Sequence, residues 1–289
     1  MRRFSSMAGA EKIEYLVIGD PVAHSRSPQM QNAAFEFYGM GSPYGKLRVD
    51  PAKIGEFAEY ARSHLKGVNL TVPHKQVILP FVDELSPGAA ACRSVNTLKI
   101  EKNRIFGFST DGDGISGAVR ENFGLELRDL HVVMLGAGGA ATAIAFETAA
   151  RHSASLTIAN RTLEKARDLA GRVSDYAPGL TLEACALGDE ATLSRALSRA
   201  DLLIQVTSLG LKESDPPPMD LELLKLNPKL RVFDAVYRET PLLRAARALG
   251  LPAADGREML IWQGAASFEI WTGKPAPVEA MRAGFGRSG

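Results

Sequence analysis

The sequence predicts an α/β fold in two units. Strand-like and helix-like stretches alternate through the first hundred residues, the pattern of an α/β domain with a largely parallel sheet. A second apolar strand, His131–Leu135, then runs directly into Gly136-Ala137-Gly138-Gly139-Ala140-Ala141 and a helix through about Arg151. Further strands over residues 155–159, 180–186, 202–206 and 230–236 continue the alternation.

Composition narrows the classes. The chain has 289 residues, enough for one large domain or two ordinary ones. Its 45% hydrophobic and 23% charged content is that of a soluble globular protein. Lys plus Arg number 34 against 33 for Asp plus Glu, so no basic excess points to nucleic acid or an anionic membrane. No apolar run reaches the roughly 18 residues of a membrane span. Cys92 and Cys185 lie far apart, form no metal or redox motif, and fit a reducing, cytoplasmic setting. Met1 to Ala10 is basic without an apolar core, which reads as a frayed tail rather than a signal peptide.

In chain order, residues 14–19 form a first strand with Leu16, Val17 and Ile18 as a buried run. Ser27 before Pro28 reads as an N-cap with proline at the first helical position, and the helix stops at Gly39. Ser25 and Ser27, at a strand-loop-helix junction, are placed to bond a carboxylate, since helix N-termini favour anions. Residues 43–49 form a second strand and 51–65 a helix. The stretch Gly67-Val68-Asn69-Leu70-Thr71-Val72-Pro73-His74-Lys75 follows. Alternation sends Asn69 and Thr71 to one face and buries Val68, Leu70 and Val72; Pro73 ends the strand, and Lys75 opens a short helix. An amide, a hydroxyl and an ammonium then leave one strand end together, a set suited to a small polyhydroxylated ligand with one proton to move. Ser86-Pro87 starts another short helix, residues 94–98 are strand-like, and Asn103 turns them into residues 104–108. Asp111-Gly112-Asp113-Gly114 lacks the other ligands of a calcium loop, so it reads as a helix start at the junction of two units.

In the second unit, Gly136 to Ala141 fits G-x-G-x-x-A between a strand and a helix, the turn that lets a pyrophosphate approach backbone at a helix N-terminus. The next strand ends at Asn160-Arg161-Thr162, where an NAD-specific site carries an acidic residue. Arg161, with Lys165 nearby, instead favours the extra 2′-phosphate of NADP. Thr162 reads as the N-cap of the following helix. Thr207 lies in another loop at a strand's carboxyl end, where such sheets bind ligands. Residues 230–236 lead to Tyr237, and Thr240-Pro241 begins a helix through about residue 249. The long apolar helix over residues 260–271 carries one amide, Gln263, either a core group or a ligand contact. No metal-ligand cluster is present.

Taken in order, these residues resemble the shikimate dehydrogenase family. The motifs are His24-Ser25-Arg26-Ser27-Pro28, Asn69 through Lys75, Val95-Asn96-Thr97-Leu98, Thr110-Asp111-Gly112, Gly136 through Ala141, Asn160-Arg161-Thr162, and Met259-Leu260 with Gln263 and Trp271-Thr272-Gly273. The resemblance implies an N-terminal substrate domain, residues 1–111, completed by C-terminal helices in 248–289, with an inserted Rossmann NADP domain, 112–247. It implies reversible NADPH reduction of 3-dehydroshikimate to shikimate, in aromatic amino-acid biosynthesis, by a monomer or homodimer. By position, Ser25 and Ser27 would hold the carboxylate, and Asn69, Thr71, Asn96, Asp111 and Gln263 the ring hydroxyls. Lys75 would be catalytic with Asp111, Tyr237 would line the site, and Gly256 would touch the nicotinamide end. A relative acting on quinate, or a non-catalytic sensor of NADP, is the alternative. The chain departs from the family's usual residues at Gln31, Ser109 and Gln205-Val206, and its segment from Tyr237 to Thr240 is about two residues short.

Overall fold

A computed structural model gives the fold and describes residues 13–41 and 43–286. The tail expected over Met1 to Ala10 lies outside the described residues. The elements are β1 (Tyr15–Gly19), α1 (Ser27–Phe37), β2 (Tyr44–Arg48), α2 (Ile54–His64), β3 (Gly67–Leu70), α3 (His74–Val77), β4 (Glu84–Leu85), α4 (Pro87–Cys92), β5 (Thr97–Glu101), β6 (Arg104–Phe108) and α5 (Asp111–Phe123). There follow β7 (His131–Leu135), α6 (Gly139–Ala150), β8 (Ser155–Asn160), α7 (Leu163–Tyr176), β9 (Thr181–Ala186), α8 (Glu190–Leu197), β10 (Leu202–Gln205), β11 (Arg231–Asp234), α9 (Pro241–Ala248), β12 (Ala253–Ala254), α10 (Arg257–Thr272) and α11 (Val278–Phe285).

The chain divides into two compact units. One runs to Gly114 and resumes at Leu260; the other is Ile115–Met259. The second unit extends past residue 247 because β12 pairs in parallel with β11.

The first unit holds a sheet in the order β2-β1-β3-β5-β6-β4. It is mixed rather than largely parallel: β1 pairs in parallel with β2 and β3, while β5 runs antiparallel to both β3 and β6. The cause is the tight β5–β6 turn, where Lys102 and Asn103 both take positive φ (51° and 60°), the conformation of a two-residue hairpin. Such a turn sets β5 and β6 in opposite directions, so a sheet that holds both cannot be all-parallel.

Strand alternation in β1 divides two cores. Leu16 and Ile18 face a cluster with Phe57, Val68, Leu70, Leu98 and Ile105. Tyr15 and Val17 face Met30, Phe35, Phe268, Trp271 and Met281, supplied by α1, α10 and α11. The two-residue strand β4 and helix α11 carry too little sequence signal to have been foreseen. Within the second core Trp271 donates from Nε1 to the Leu98 carbonyl at 2.8 Å. Its indole packs against Gly67 of β3, where a larger residue does not fit: a Cβ on Gly67 would sit 2.5 Å from Trp271 Nε1.

The second unit is an all-parallel sheet in the order β12-β11-β10-β7-β8-β9. Counted from β7 this is the doubly-wound order 3-2-1-4-5-6, whose reversal between the first and fourth strands opens a crevice at their carboxyl ends. Helix α8 was not foreseen from the sequence, and β11 ends at Asp234 rather than near Val236, because Asp234 turns its carboxylate back onto the loop that follows.

Gly67→Ala should lower unfolding stability by about 1–3 kcal/mol, the cost of overpacking a filled core. Urea denaturation followed by tryptophan fluorescence measures it, and an unchanged midpoint would show that the Trp271 contact is not tight.

Candidate active site

In the first unit, polar side chains converge where β3 and β5 meet. Asn69 of β3 lies opposite Thr97 of β5, so both side chains leave one face, and Asn69 Nδ2 donates to Thr97 Oγ1 at 3.1 Å. The same amide reaches Ser267 Oγ of α10 at 3.0 Å. Its carbonyl Oδ1 accepts from Tyr44 OH at 2.7 Å. Burial pushes the Tyr44 phenol up, partly offset by a hydrogen bond with Ser27, so the phenol stays a donor and fixes the orientation of the Asn69 amide. Both ends of that amide are thus taken up by the protein.

Asn96 is the hub. Its backbone joins β3 and β6, donating to the Phe108 carbonyl at 3.0 Å and accepting from Leu70 N at 2.8 Å. Its Oδ1 accepts from Thr110 N at 2.8 Å, and its Nδ2 donates to Asp111 Oδ1 at 2.8 Å and Thr110 Oγ1 at 3.0 Å, with Gln263 Oε1 at 3.4 Å. Asp111, the first residue of α5, uses its other oxygen to accept from Lys75 Nζ at 2.5 Å. The ion pair is nearly out of water, with side chains 15% and 6% exposed.

The turn that carries Lys75 is anchored from both sides. The Lys75 carbonyl accepts from Val95 N at 2.8 Å, and His74 Nε2 bonds the Val49 carbonyl at 2.9 Å. Burial lowers the pKa of His74 and favours the neutral imidazole, against the bond to Val49, which places the ring proton on Nε2.

The other expected residues of this unit fall as follows. Ser27 is buried, and its N–H donates to Ser25 Oγ at 3.3 Å. It is the first residue of α1 rather than a side-chain cap; Arg26 holds the N-cap position without a cap bond. Thr71 lies just past β3, half-buried, with its methyl over Gly19. Val72 is exposed, not buried, because β3 ends at Leu70 and the chain turns into α3 through the cis Val72–Pro73 bond. Gln263 is buried and donates to the Leu260 carbonyl of its own helix at 2.8 Å. Sequence reasoning missed Tyr44, Thr97 and Ser267 as members of this network. Ser267 stands four residues after Gln263 on one helix, a spacing that could have found it.

In the second unit, Gly136 takes a φ of +124°, and a Cβ there would lie 3.1 Å from the Val206 carbonyl carbon, so the glycine-rich turn abuts the loop after β10. Ala137 follows in the turn, Gly138 is the N-cap of α6, and Gly139 and Ala140 begin the helix, whose first-turn N–H groups lack intrahelical partners. Asn160 Nδ2 donates to the Thr162 carbonyl at 2.8 Å. Thr162 stands at the N-cap of α7 but makes no side-chain cap bond. Arg161 and Lys165 are exposed, and neither makes an ion pair with another described residue. A cation pair left unpaired beside a glycine-rich turn fits a phosphorylated dinucleotide. Thr207 Oγ1 accepts from Leu209 N at 3.1 Å. Gly256 is fixed by packing, since a Cβ there would lie 2.1 Å from the Ala235 carbonyl oxygen. Tyr237 is exposed in the loop after β11. Among the described residues no group of His, Cys, Asp and Glu could hold a metal, and no helix is long and apolar enough to cross a membrane.

Three family models match: the shikimate dehydrogenase substrate binding domain over residues 17–98, shikimate / quinate 5-dehydrogenase over 118–210, and the shikimate 5′-dehydrogenase C-terminal domain over 256–283. A shikimate dehydrogenase (NADP(+)) of Desulfitobacterium hafniense is 38% identical over 93% of this chain and 95% of its own. The chain belongs to the shikimate dehydrogenase family. Among solved structures of that family, the Thermus thermophilus shikimate 5-dehydrogenase in complex with NADP(H) and shikimate is 33% identical, with a TM-score of 0.82 over 94% of this chain and 97% of that one. A quinate dehydrogenase of Corynebacterium glutamicum in complex with NAD is 28% identical, with a TM-score of 0.83 over 95% and 99%.

One buried carboxylate lies outside the residues expected for the site. Burial raises Asp234 to about 6, against hydrogen bonds from Thr240, Val236 and Gln205 that lower it. Its folded value exceeds the ordinary 3.8, so its contribution to stability is full below pH 4 and is lost as pH rises through 6. Relative to Asp234→Asn, the wild-type chain should lose on the order of 3 kcal/mol of unfolding stability between those limits. Chemical denaturation of both proteins across that range measures the difference; a flat difference would show that Asp234 is already ionised at pH 4.

Proposed function

We propose that this chain catalyses the reversible NADP-dependent interconversion of shikimate and 3-dehydroshikimate. The observation that carries the reading is the nearly buried Lys75–Asp111 pair, held by Asn96 at the end of a strand in a chain of this family. When bound, NADP(H) supplies or accepts the hydride. Alkoxide character then grows on the substrate oxygen, and the Lys75 ammonium is the acid that protonates it. Asp111 accepts a hydrogen bond from that ammonium and holds it in place, while Asn96 fixes the carboxylate's other oxygen. In the oxidative direction Lys75 first gives up its proton and then takes the hydroxyl's.

The remaining roles follow from position and chemistry. Ser25 and Ser27 hold the substrate carboxylate. Asn69, Thr71, Asn96, Asp111 and Gln263 bind ring hydroxyls. Tyr237 lines the site. Gly136, Ala137, Gly138, Gly139 and Ala140 receive the pyrophosphate, with Asn160 and Thr162 at the adenosine end, Arg161 and Lys165 on the 2′-phosphate, and Thr207 and Gly256 toward the nicotinamide. The first unit is the substrate-binding domain, and the second the cofactor-binding domain. The enzyme works in the cytoplasm as a monomer or homodimer.

Purified chain given shikimate and NADP should produce the absorbance of reduced nicotinamide; no turnover with shikimate, or faster turnover with quinate, would overturn the substrate assignment. Lys75→Ala should lower kcat by about 10²–10⁴-fold, with a smaller change in the KM for shikimate. A loss confined to KM would make Lys75 a positioning residue. Arg161→Ala should weaken NADP far more than NAD, since a charge-assisted phosphate contact is worth roughly 1.5–3 kcal/mol. Equal losses for the two nucleotides would remove Arg161 from the phosphate site.

A further inference from the structure

At the carboxyl ends of β10 and β11, two loops are drawn onto one carboxylate. Asp234 Oδ1 accepts from Val236 N at 3.0 Å and from Gln205 Nε2 at 3.4 Å, and Oδ2 accepts from the Thr240 hydroxyl at 2.7 Å. Every partner is a donor, so the group is built to be an ionised acceptor. Gln205 passes the restraint on: its Oε1 accepts from Thr207 N at 2.5 Å and its Nε2 also reaches the Leu209 carbonyl at 2.8 Å. Arg238 ties the two loops again, donating from Nε to the Gly210 carbonyl at 2.7 Å. The loop that Gln205 shapes is the one against which Gly136 packs. Gly256 closes the cluster on the Ala235 carbonyl. These bonds are more than the ends of two strands need, and they converge on the crevice of the doubly-wound sheet.

We infer that Asp234 is a positioning residue for dinucleotide binding: its carboxylate holds the loops of Thr207 and Tyr237 in the form that receives NADP, through Gln205, Val236 and Thr240. This rests on the assignment of NADP to this unit. Protonation of Asp234 removes the charge assistance from the three bonds it accepts, roughly halving their strength, so the loops are held less firmly. The raised pKa of the buried carboxyl places that change in an accessible range. The charged group that acts on it is Asp255, which is itself paired with Arg257 at 2.8 Å.

The test is the dissociation constant for NADP, measured by calorimetry on the full chain across pH, for wild type, Asp234→Asn and Thr240→Ser. The 2′-phosphate of the nucleotide also titrates near pH 6, but that term is common to all three proteins and cancels in the ratio of variant to wild type. For Asp234→Asn the ratio should be about tenfold at pH 8, and should fall toward unity by pH 5, where wild-type Asp234 has gained its proton. Thr240→Ser keeps the donor and the helix cap and should match wild type throughout. Thr240→Val removes the donor and should weaken NADP at pH 8, which supplies the answer if Asp234→Asn does not fold. A ratio that stays constant with pH, or unchanged affinity in a folded Asp234→Asn chain, overturns the inference and leaves the cofactor assignment standing. A wild-type chain that binds no NADP overturns both.

Discussion

The first unit depends on keeping one ion pair charged with little water around it. Removing a carboxylate and an ammonium from solvent costs several kcal/mol each unless further hydrogen bonds replace hydration. Here Lys75 and Asp111 face each other at 2.5 Å, and Asn96 satisfies the second carboxylate oxygen. Asn96 can do so only because its own backbone is locked between β3 and β6 and its carbonyl is occupied by Thr110. A chain of restraint therefore runs from sheet register to hub amide to ion pair. Tyr44, Asn69, Thr97 and Ser267 extend it, each orienting the next donor or acceptor.

Helices supply what the sheet cannot. Strand pairing aligns Asn69 with Thr97, but the face they share must also be covered, and α10 covers it while contributing Gln263 and Ser267 to the same polar cluster. The polar groups lie beside a dense aromatic core of Tyr15, Phe35, Phe268 and Trp271, with ring centroids about 5 Å apart. Rigid packing there limits how far α10 can move, and with it the two side chains it adds. In the second unit the equivalent constraint is backbone proximity. The reversal of strand order brings the Gly136 turn against Val206, and the buried Asp234 carboxylate gathers the neighbouring loops.

Much of this was legible from local chemistry. Ser86 caps α4 through its side chain, and Thr240 caps α9, as their Ser-Pro and Thr-Pro pairs imply. Gly39, Gly124 and Gly273 end their helices in positive φ. The same logic failed where a tertiary partner competed. Ser27 looks like a cap, but its neighbour Tyr44 engages its side chain and it enters α1 instead. Val72 looks like a core residue by alternation, but the strand has already ended. The short strands β4 and β12 depend on pairing with β6 and β11 and leave almost no local signal.

The sequence by itself determined which residue types stand at strand ends, that a glycine-rich turn joins β7 to α6, and that cations rather than an acid follow β8. These are local properties, set by side-chain period, turn chemistry and charge, and they need no knowledge of what lies across the sheet. Only the tertiary structure decided that Lys75 and Asp111 meet, 36 residues apart in the chain, and that Asn69 reaches Ser267 across 198. It also decided that the first sheet is mixed and that Asp234 is buried. Those outcomes turn on register and packing between segments distant in sequence, where the cost of leaving a polar group unpaired, rather than any local preference, selects the partner.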